Sequence, residues 1–161
     1  MFKKIGILTF IFFASLIMYS QTSLPDISLK NLDGDMISIK DISKGKTVVI
    51  DFWYTSCVNC IEELDAIAEV YEELQEEIGF ELITVTTDNS RTVAKVKPFV
   101  NEHEWEYEVL YDTNKELYRA LNVPVSPYVL IVKDGKILYT HQGYSTGAEE
   151  ELFKKFEELK D

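Results

Sequence analysis

The sequence predicts an α/β domain in which helices flank a central mixed sheet on both faces. Strand-like and helix-like segments alternate between residues 47 and 121, which favours parallel pairing. The run TVVIDFW, residues 47–53, is almost continuously apolar, as expected of a central strand buried on both faces. Two Asp-Gly turns, at Asp33 and Asp134, predict hairpins that add antiparallel strands. A chain of 161 residues is about one domain long.

The first half of this domain contains a hairpin, the buried strand and one long helix. DISLK and MISIK flank the LDGD turn of residues 32–35 and alternate as hairpin strands do. From Cys57 to Ile78, apolar residues recur every three or four positions, which predicts one continuous amphipathic helix. Gly79 is placed to end that helix in the left-handed conformation. FELITVTT, residues 80–87, predicts a second buried strand.

The second half begins with an inserted helix and strand. Residues 90–104 predict a helix that Ser90 caps and that Pro98 kinks or breaks. The same kinds of pattern predict a strand, a helix, a hairpin and a final helix, at residues 106–112, 114–121, 127–143 and 146–160.

Residues 1–20 predict a signal peptide or an N-terminal membrane anchor ahead of a domain at residues 24–161. Lys3 and Lys4 precede an uncharged apolar stretch that is short of the roughly 20 residues a spanning helix prefers. Met18 is a poor match to the small-residue rule for cleavage, so both outcomes stay open. Export places the protein in the periplasm or on the outer face of the inner membrane, and membrane contact is expected only if this segment is uncleaved.

The balance of charge argues against one class of partner. Asp and Glu outnumber Lys and Arg by 28 to 16, which gives a formal net charge of −12. Phosphate backbones are bound by clusters of Lys and Arg, so we expect no nucleic-acid partner. The acidity favours solubility or the steering of basic partners. We expect a monomer.

The two cysteines, Cys57 and Cys60, lie three residues apart at the predicted start of the long helix. Free N–H groups and the helix dipole stabilise a thiolate there and lower the thiol pKa. Cys60 shares a helical face with Cys57, so their sulfurs can form a disulfide. Cys57 could then attack a partner disulfide and Cys60 could resolve the mixed disulfide.

Three other uses of the cysteine pair are a metal site, a structural staple and two inert core residues. A zinc site needs four ligands, and the two histidines, His103 and His141, lie on separate elements, so no metal is expected. A disulfide between residues three apart closes too small a loop to add much stability.

The segment VVIDFWYTSCVNC, residues 48–60, resembles the active site of thioredoxin-like proteins. The resemblance implies that Asp51 is a buried carboxyl that takes and returns the proton of Cys60. An alternative is a strand-end Asp51 paired with Lys46 or another cation. Trp53 matches the family's tryptophan and either contacts substrate at the site or packs in the core.

A second segment, PVSPYVLIVKDGK at residues 124–136, resembles the part of the family that faces the cysteines. The resemblance implies that Pro127 is a cis-proline and that Ser126 offers backbone groups to an extended substrate. Pro124 is a rival for the cis-proline position.

Two features depart from the family's pattern. Ser56 stands where the family has tryptophan, which leaves the substrate side of the site more polar, although Thr55 or Ser56 could instead cap the helix. Proteins of the TlpA type often carry a glutamate after a proline that follows the second cysteine. Glu62 and Glu63 follow Cys60 without that proline, so we interpret them as solvent-exposed.

The export signal, the hairpin and the insertion resemble exported thiol-disulfide oxidoreductases of the TlpA and ResA type, over residues 24–160. The resemblance implies an enzyme with a thioredoxin-like fold that reduces disulfides of periplasmic clients and takes electrons from a membrane reductase. Cytochrome c maturation is one implied use, and the redox-active disulfide Cys57–Cys60 is the only redox group expected. The alternatives are a thiol peroxidase, whose proline-containing loop is not matched, and a copper-binding module, whose wider cysteine spacing is not matched.

Overall fold

The computed structural model describes residues 23–161, so the predicted signal peptide or anchor lies outside the described residues. The strands are β1 Ser28–Asn31, β2 Met36–Ser38, β3 Thr47–Trp53, β4 Leu82–Thr86, β5 Glu108–Tyr111, β6 Tyr128–Lys133 and β7 Lys136–Gln142. The helices are α1 Val58–Ala68, α2 Tyr71–Ile78, α3 Val96–Glu102, α4 Glu116–Ala120 and α5 Ala148–Leu159. Across this part of the chain, no helix combines the length and the apolar character needed to span a membrane.

The seven strands form one mixed sheet in the order β2-β1-β5-β4-β3-β6-β7. β4 pairs in parallel with both β3 and β5. The hairpin β6–β7 adds antiparallel strands beyond β3, and the hairpin β1–β2 joins the opposite edge through β5. The predicted mixed sheet with an N-terminal hairpin is therefore confirmed.

Strand β3 lies at the centre of the core, and all of its residues are buried. Alternate side chains of a strand point to opposite faces. Val49 and Trp53 join the core cluster beneath α1, α2, α3 and α5. Ile50 and Phe52 join the cluster on the other face, which α4 and the segment around Ile39 cover. Helices flank both faces, as the sequence predicts.

The predicted single helix from Cys57 to Ile78 is wrong, because the structure divides it into α1 and α2. Val70, with φ −122° and ψ 7°, leaves the helical conformation between them. The Tyr71 ring packs edge-on against Phe80, and its hydroxyl accepts a hydrogen bond from the Leu82 N–H at 3.3 Å. Both α1 and α2 face the same side of the sheet. The spacing of apolar residues therefore continues across the break, and the sequence pattern gives no sign of it.

The prediction for residues 90–104 is also corrected. A 3₁₀ turn at Val93–Lys95 leads into the short helix α3, and Ser90 caps neither. Pro98 is the third residue of α3, where a backbone N–H has no intrahelical partner. Its missing N–H therefore costs no helical hydrogen bond, and the helix begins just before the proline.

The inserted helix α3 and strand β5 are fastened to α1 through Asp65. The Asp65 Oδ1 atom accepts a hydrogen bond from Trp105 Nε1 at 2.8 Å and lies 2.8 Å from His103 Nδ1. The Trp105 ring meets Trp53 edge-on at 4.9 Å between centroids, and Phe99 stacks on His103 at 4.3 Å. The insertion thereby completes the aromatic packing behind the end of β3.

Gly79 ends α2 in the left-handed conformation with φ 67°, as predicted. Gly79→Ala should lower the free energy of unfolding by about 1 kcal/mol, because a side chain with Cβ is strained at that φ. Gly79→Asn should lose less, because Asn tolerates this conformation better. A Cβ added at this position meets no atom within 4 Å, so a clash does not contribute. Urea denaturation measures both variants, and equal stability of all three proteins would contradict the backbone explanation.

Candidate active site

The cysteines lie where β3 passes through a tight turn into α1. The Cys57 N–H donates to the Tyr54 carbonyl at 2.9 Å and closes the turn. Cys57 is itself the N-cap of α1, and its Sγ accepts a hydrogen bond from the Cys60 N–H at 3.3 Å. The suggestion that Thr55 or Ser56 caps the helix is therefore wrong, because the sulfur of Cys57 occupies the capping position.

Cys57 and Cys60 form a disulfide, with their Cα atoms 5.3 Å apart. Cys57 is 6% exposed and Cys60 is fully buried, so Cys57 is the one that a partner can approach. The first turn of α1 carries no acidic residue. In the reduced protein the Cys57 sulfur would face the free N–H groups of the helix, an environment that favours the thiolate.

Asp88, just after β4, holds the turn in place, and sequence analysis missed it. Its carboxylate accepts hydrogen bonds from the Thr55 N–H at 2.8 Å and from the Thr55 hydroxyl at 2.7 Å. It also accepts one from the Thr86 hydroxyl at 2.8 Å. Burial acts to raise the pKa of Asp88, but hydrogen bonds from Thr92, Thr55 and Thr86 outweigh it and lower the pKa. In the sequence, residues 88–90 show only the pattern of a turn, so no local feature indicates that Asp88 anchors the cysteine turn.

The peptide bond between Ser126 and Pro127 is cis. Phe52 of β3 pairs with Tyr128 of the antiparallel strand β6. Trp53, which follows Phe52, and Pro127, which precedes Tyr128, therefore lie opposite each other at the cystine end of the sheet. Pro127 is buried, and its carbonyl accepts a hydrogen bond from the Gly143 N–H at 2.8 Å. Ser126 is partly exposed beside it.

Trp53 and Ser56 have different surroundings. The Trp53 side chain is completely buried and packs against Phe99 and Trp105, so the predicted contact with substrate is not available to its ring. Trp53 supports the turn from behind, as the core-packing alternative stated. Ser56 is exposed and lines a shallow concavity that also includes Tyr54.

Asp51 lies on the α1 face of β3 and has no exposed surface. Neither of its carboxylate oxygens has a hydrogen-bond partner. Burial disfavours the charged form and raises the pKa of Asp51 to about 7. The alternative pairing with Lys46 is wrong, because Lys46 pairs with Glu81.

Glu63 corrects the prediction that both glutamates after Cys60 are solvent-exposed. Glu62 is exposed, but Glu63 is only 2% exposed and its Oε2 atom has no hydrogen-bond partner. Burial, followed by the charges of Asp51 and Glu149, raises the pKa of Glu63. Its burial depends on packing against other elements, which the Glu-rich helix pattern does not show. It lies one turn after Cys60 on the same face of α1.

This arrangement suits dithiol/disulfide exchange. One cysteine is accessible at a helix N-terminus, the other is buried, and two buried carboxyls lie on the same side of the sheet. A carboxyl whose pKa is raised to about 7, as that of Asp51 is, can take up and release a proton near neutral pH. Among residues 23–161, no group of three or more His, Cys, Asp or Glu is placed to hold a metal ion.

Comparisons with known proteins agree with this chemistry and with the predicted thioredoxin-like fold. The Redoxin family model matches residues 20–155. The thiol-disulfide oxidoreductase ResA of Bacillus thuringiensis subsp. konkukian is 34% identical over 133 residues, 81% of this chain and 75% of that protein. A thioredoxin-like protein from Porphyromonas gingivalis is 46% identical, with a TM-score of 0.74, over 84% of this chain and 90% of that one. The thioredoxin domain of a thiol-disulfide oxidoreductase from Bacteroides vulgatus has a TM-score of 0.72 at 23% identity, over 88% of this chain and 97% of that one. At this identity the likeness shows the fold alone.

Asp51→Asn should stabilise the oxidised protein by an amount that grows with pH. The pKa of Asp51 rises from 3.8 to about 7 on folding, so the wild type loses stability as the pH increases through that interval, and the asparagine variant does not. The relative gain should reach about 4 kcal/mol at most above pH 7. Urea denaturation at pH 4, 6 and 8 measures it, with Glu62→Gln as the exposed control. A gain that does not change with pH would show that desolvation of the carboxylate is not its cause.

Proposed function

The chain belongs to the Redoxin family, and on that premise we propose that it reduces disulfides of exported client proteins. It is a thiol-disulfide oxidoreductase with a Cys57–Cys60 pair. The observation that carries the proposal is the position of this pair, with Cys57 accessible at the start of α1 and Cys60 buried behind it.

The proposed reaction transfers two electrons from the dithiol to a client disulfide. The Cys57 thiolate attacks one client sulfur, the client S–S bond breaks, and a mixed disulfide forms while the released client thiolate takes a proton from solvent. Cys60 gives its proton to the buried carboxyl pair of Asp51 and Glu63 and attacks the Cys57 sulfur. The second client thiolate leaves with a proton, and the enzyme is left as the disulfide.

The surroundings of the pair support client binding at the cis-proline. Ser126 is partly exposed and Ser56 is exposed, so their polar groups are available to an extended client segment. We propose that the client backbone lies along Ser126 and Pro127, opposite the end of β3. Polar Ser56, in place of a large aromatic ring, leaves more room beside Cys57.

The compartment and the electron donor follow from the chemistry and from the N-terminal sequence. The apolar stretch after Lys3 and Lys4 supports export, with or without cleavage. A dithiol that reduces clients in an oxidising compartment must be reduced again, so we propose a membrane reductase as the donor. Cytochrome c maturation is a use we propose from the resemblance to the ResA type.

Cys60→Ser should trap clients, because it removes the thiol that resolves the mixed disulfide. The variant is expressed with its N-terminal segment, thiols are blocked with acid and an alkylating agent, and the complexes are identified by mass spectrometry. We expect adducts on Cys57 that dithiothreitol releases, and none with Cys57→Ser. No captured client, together with an ordinary pKa for Cys57, would overturn the proposal.

Glu63→Gln should slow the resolving step about 10- to 100-fold, because it removes one carboxyl of the buried pair that accepts the Cys60 proton. The neighbouring exposed residue provides the matched control, since Glu62→Gln should leave the rate unchanged. Rapid acid quenching follows the decay of a mixed disulfide formed with a short model peptide. Equal rates for the two variants would leave Asp51 as the sole acceptor.

A further inference from the structure

Glu63 and His141 both line a small cavity between α1, α5 and the sheet. The residues that line it are Glu63, Val129, Tyr139, His141, Ala148, Glu151 and Leu152. It has about 10 Å³ of room for the centre of a water molecule, which is about what one water needs. The Glu63 side chain forms part of the cavity wall, and its Oε2 atom has no hydrogen-bond partner.

The sheet register explains why His141 lies beside the buried carboxyls. Asp51 pairs with Val129 on β6, and Val129 pairs with His141 on β7. Side chains opposite each other on neighbouring strands point to the same face of the sheet. His141 is therefore on the face that α1 covers, two strands from Asp51. β7 is an edge strand and His141 is only partly buried, so its ring lies between the core and solvent.

A proton held by the carboxyl pair has no direct route to water. Asp51 is fully buried and Glu63 is 2% exposed. Each catalytic cycle nevertheless requires the pair to gain and lose a proton. A side chain that lies between Glu63 and solvent would provide such a route.

Other charged or titratable groups also lie near this cavity. They are Asp51 on β3, Tyr107 before β5, Tyr139 on β7, Tyr144 after β7, and Glu149, Glu151 and Lys155 on α5. Burial raises the pKa of Tyr107, and burial with Glu149 raises that of Tyr144 to about 12. Glu149 Oε2 already accepts hydrogen bonds from the Tyr144 hydroxyl and the Gly147 N–H. Lys155 pairs with Glu158.

We propose that His141 carries protons between Glu63 and solvent during each cycle of the Cys57–Cys60 pair. Imidazole can take a proton on one ring nitrogen and release one from the other, which no carboxyl or phenol in this wall can do as readily. His141 acts through Glu63 and does not touch the sulfurs, so its role is to pass protons to and from Glu63. The inference rests on the proposed function only in that a dithiol/disulfide cycle runs at this site.

The proton balance of the reducing direction defines the role. A dithiol donor breaks the Cys57–Cys60 bond and becomes a disulfide itself, so two electrons enter the pair. The Cys60 thiolate takes a proton from the carboxyl pair. The carboxylate that remains is reprotonated through a water in the cavity by His141, which takes a proton from solvent on its other nitrogen. Oxidation of the pair runs the same transfers in reverse.

The test compares His141→Gln with His103→Gln in the full chain. These are the two histidines of the sequence, and His103 is bound to Asp65 on α1 away from the cavity. Stopped-flow measurements follow reduction of the oxidised protein by dithiothreitol at pH 7 in dilute buffer. We expect His141→Gln to be slower by about tenfold and to regain its rate as imidazole is added. His103→Gln should react at the wild-type rate, and added imidazole should change the rate of neither His103→Gln nor the wild type.

A double variant separates a proton role from a structural one. In a Glu63→Gln background, His141→Gln should have no further effect, because the two residues act in series. A normal rate for His141→Gln, a slow rate that imidazole does not restore, or additive losses in the double variant would each overturn the inference. Dithiothreitol takes the place of the electron donor and no client is present, so failure of Cys60→Ser to capture clients leaves this measurement intact. A wild-type disulfide that does not exchange with dithiothreitol would overturn both proposals.

Discussion

The desolvation of Asp51 and Glu63 beneath α1 is the constraint on which the rest of the site depends. Two carboxyls in a core oppose folding when they are charged, because no water compensates for the loss of hydration. Their burial keeps a proton within the fold, on the side of the sheet where Cys60 lies. The surrounding apolar packing keeps bulk solvent away from both carboxyls, so stability and reactivity depend on the same contacts.

Topology brings the parts of the site to one edge of the sheet. β3 and β4 run in parallel, so Cys57 and Asp88 follow the ends of neighbouring strands. β6 runs antiparallel to β3, so its first residues, with Pro127 before them, reach the same edge. The three central strands thus supply the cysteine turn, the carboxylate that holds it and the cis-proline. Sites in α/β sheets commonly lie at the carboxyl ends of strands for this reason.

Local features of the sequence predicted much of the fold. The limits of β3 match the predicted run of residues 47–53, because a strand buried on both faces is continuously apolar. The position of Cys57 at a helix start could be predicted because that signal is also local. The break between α1 and α2 at Val70 could not be predicted, because apolar residues keep their helical spacing through it. The surroundings of Glu63 and Asp88 depend on residues far along the chain, and single-sequence patterns carry no information about such contacts.

One oxygen of Asp65 serves both His103 and Trp105, which ties the insertion to the cysteine helix. Excision of α3 and β5 would remove two partners of Asp65, the aromatic neighbours of Trp53 and the strand that joins β1 to the sheet. The insertion is therefore not a detachable module. A shorter version of this enzyme requires a redesigned interior, and lineages that share the fold should keep or lose these side chains together.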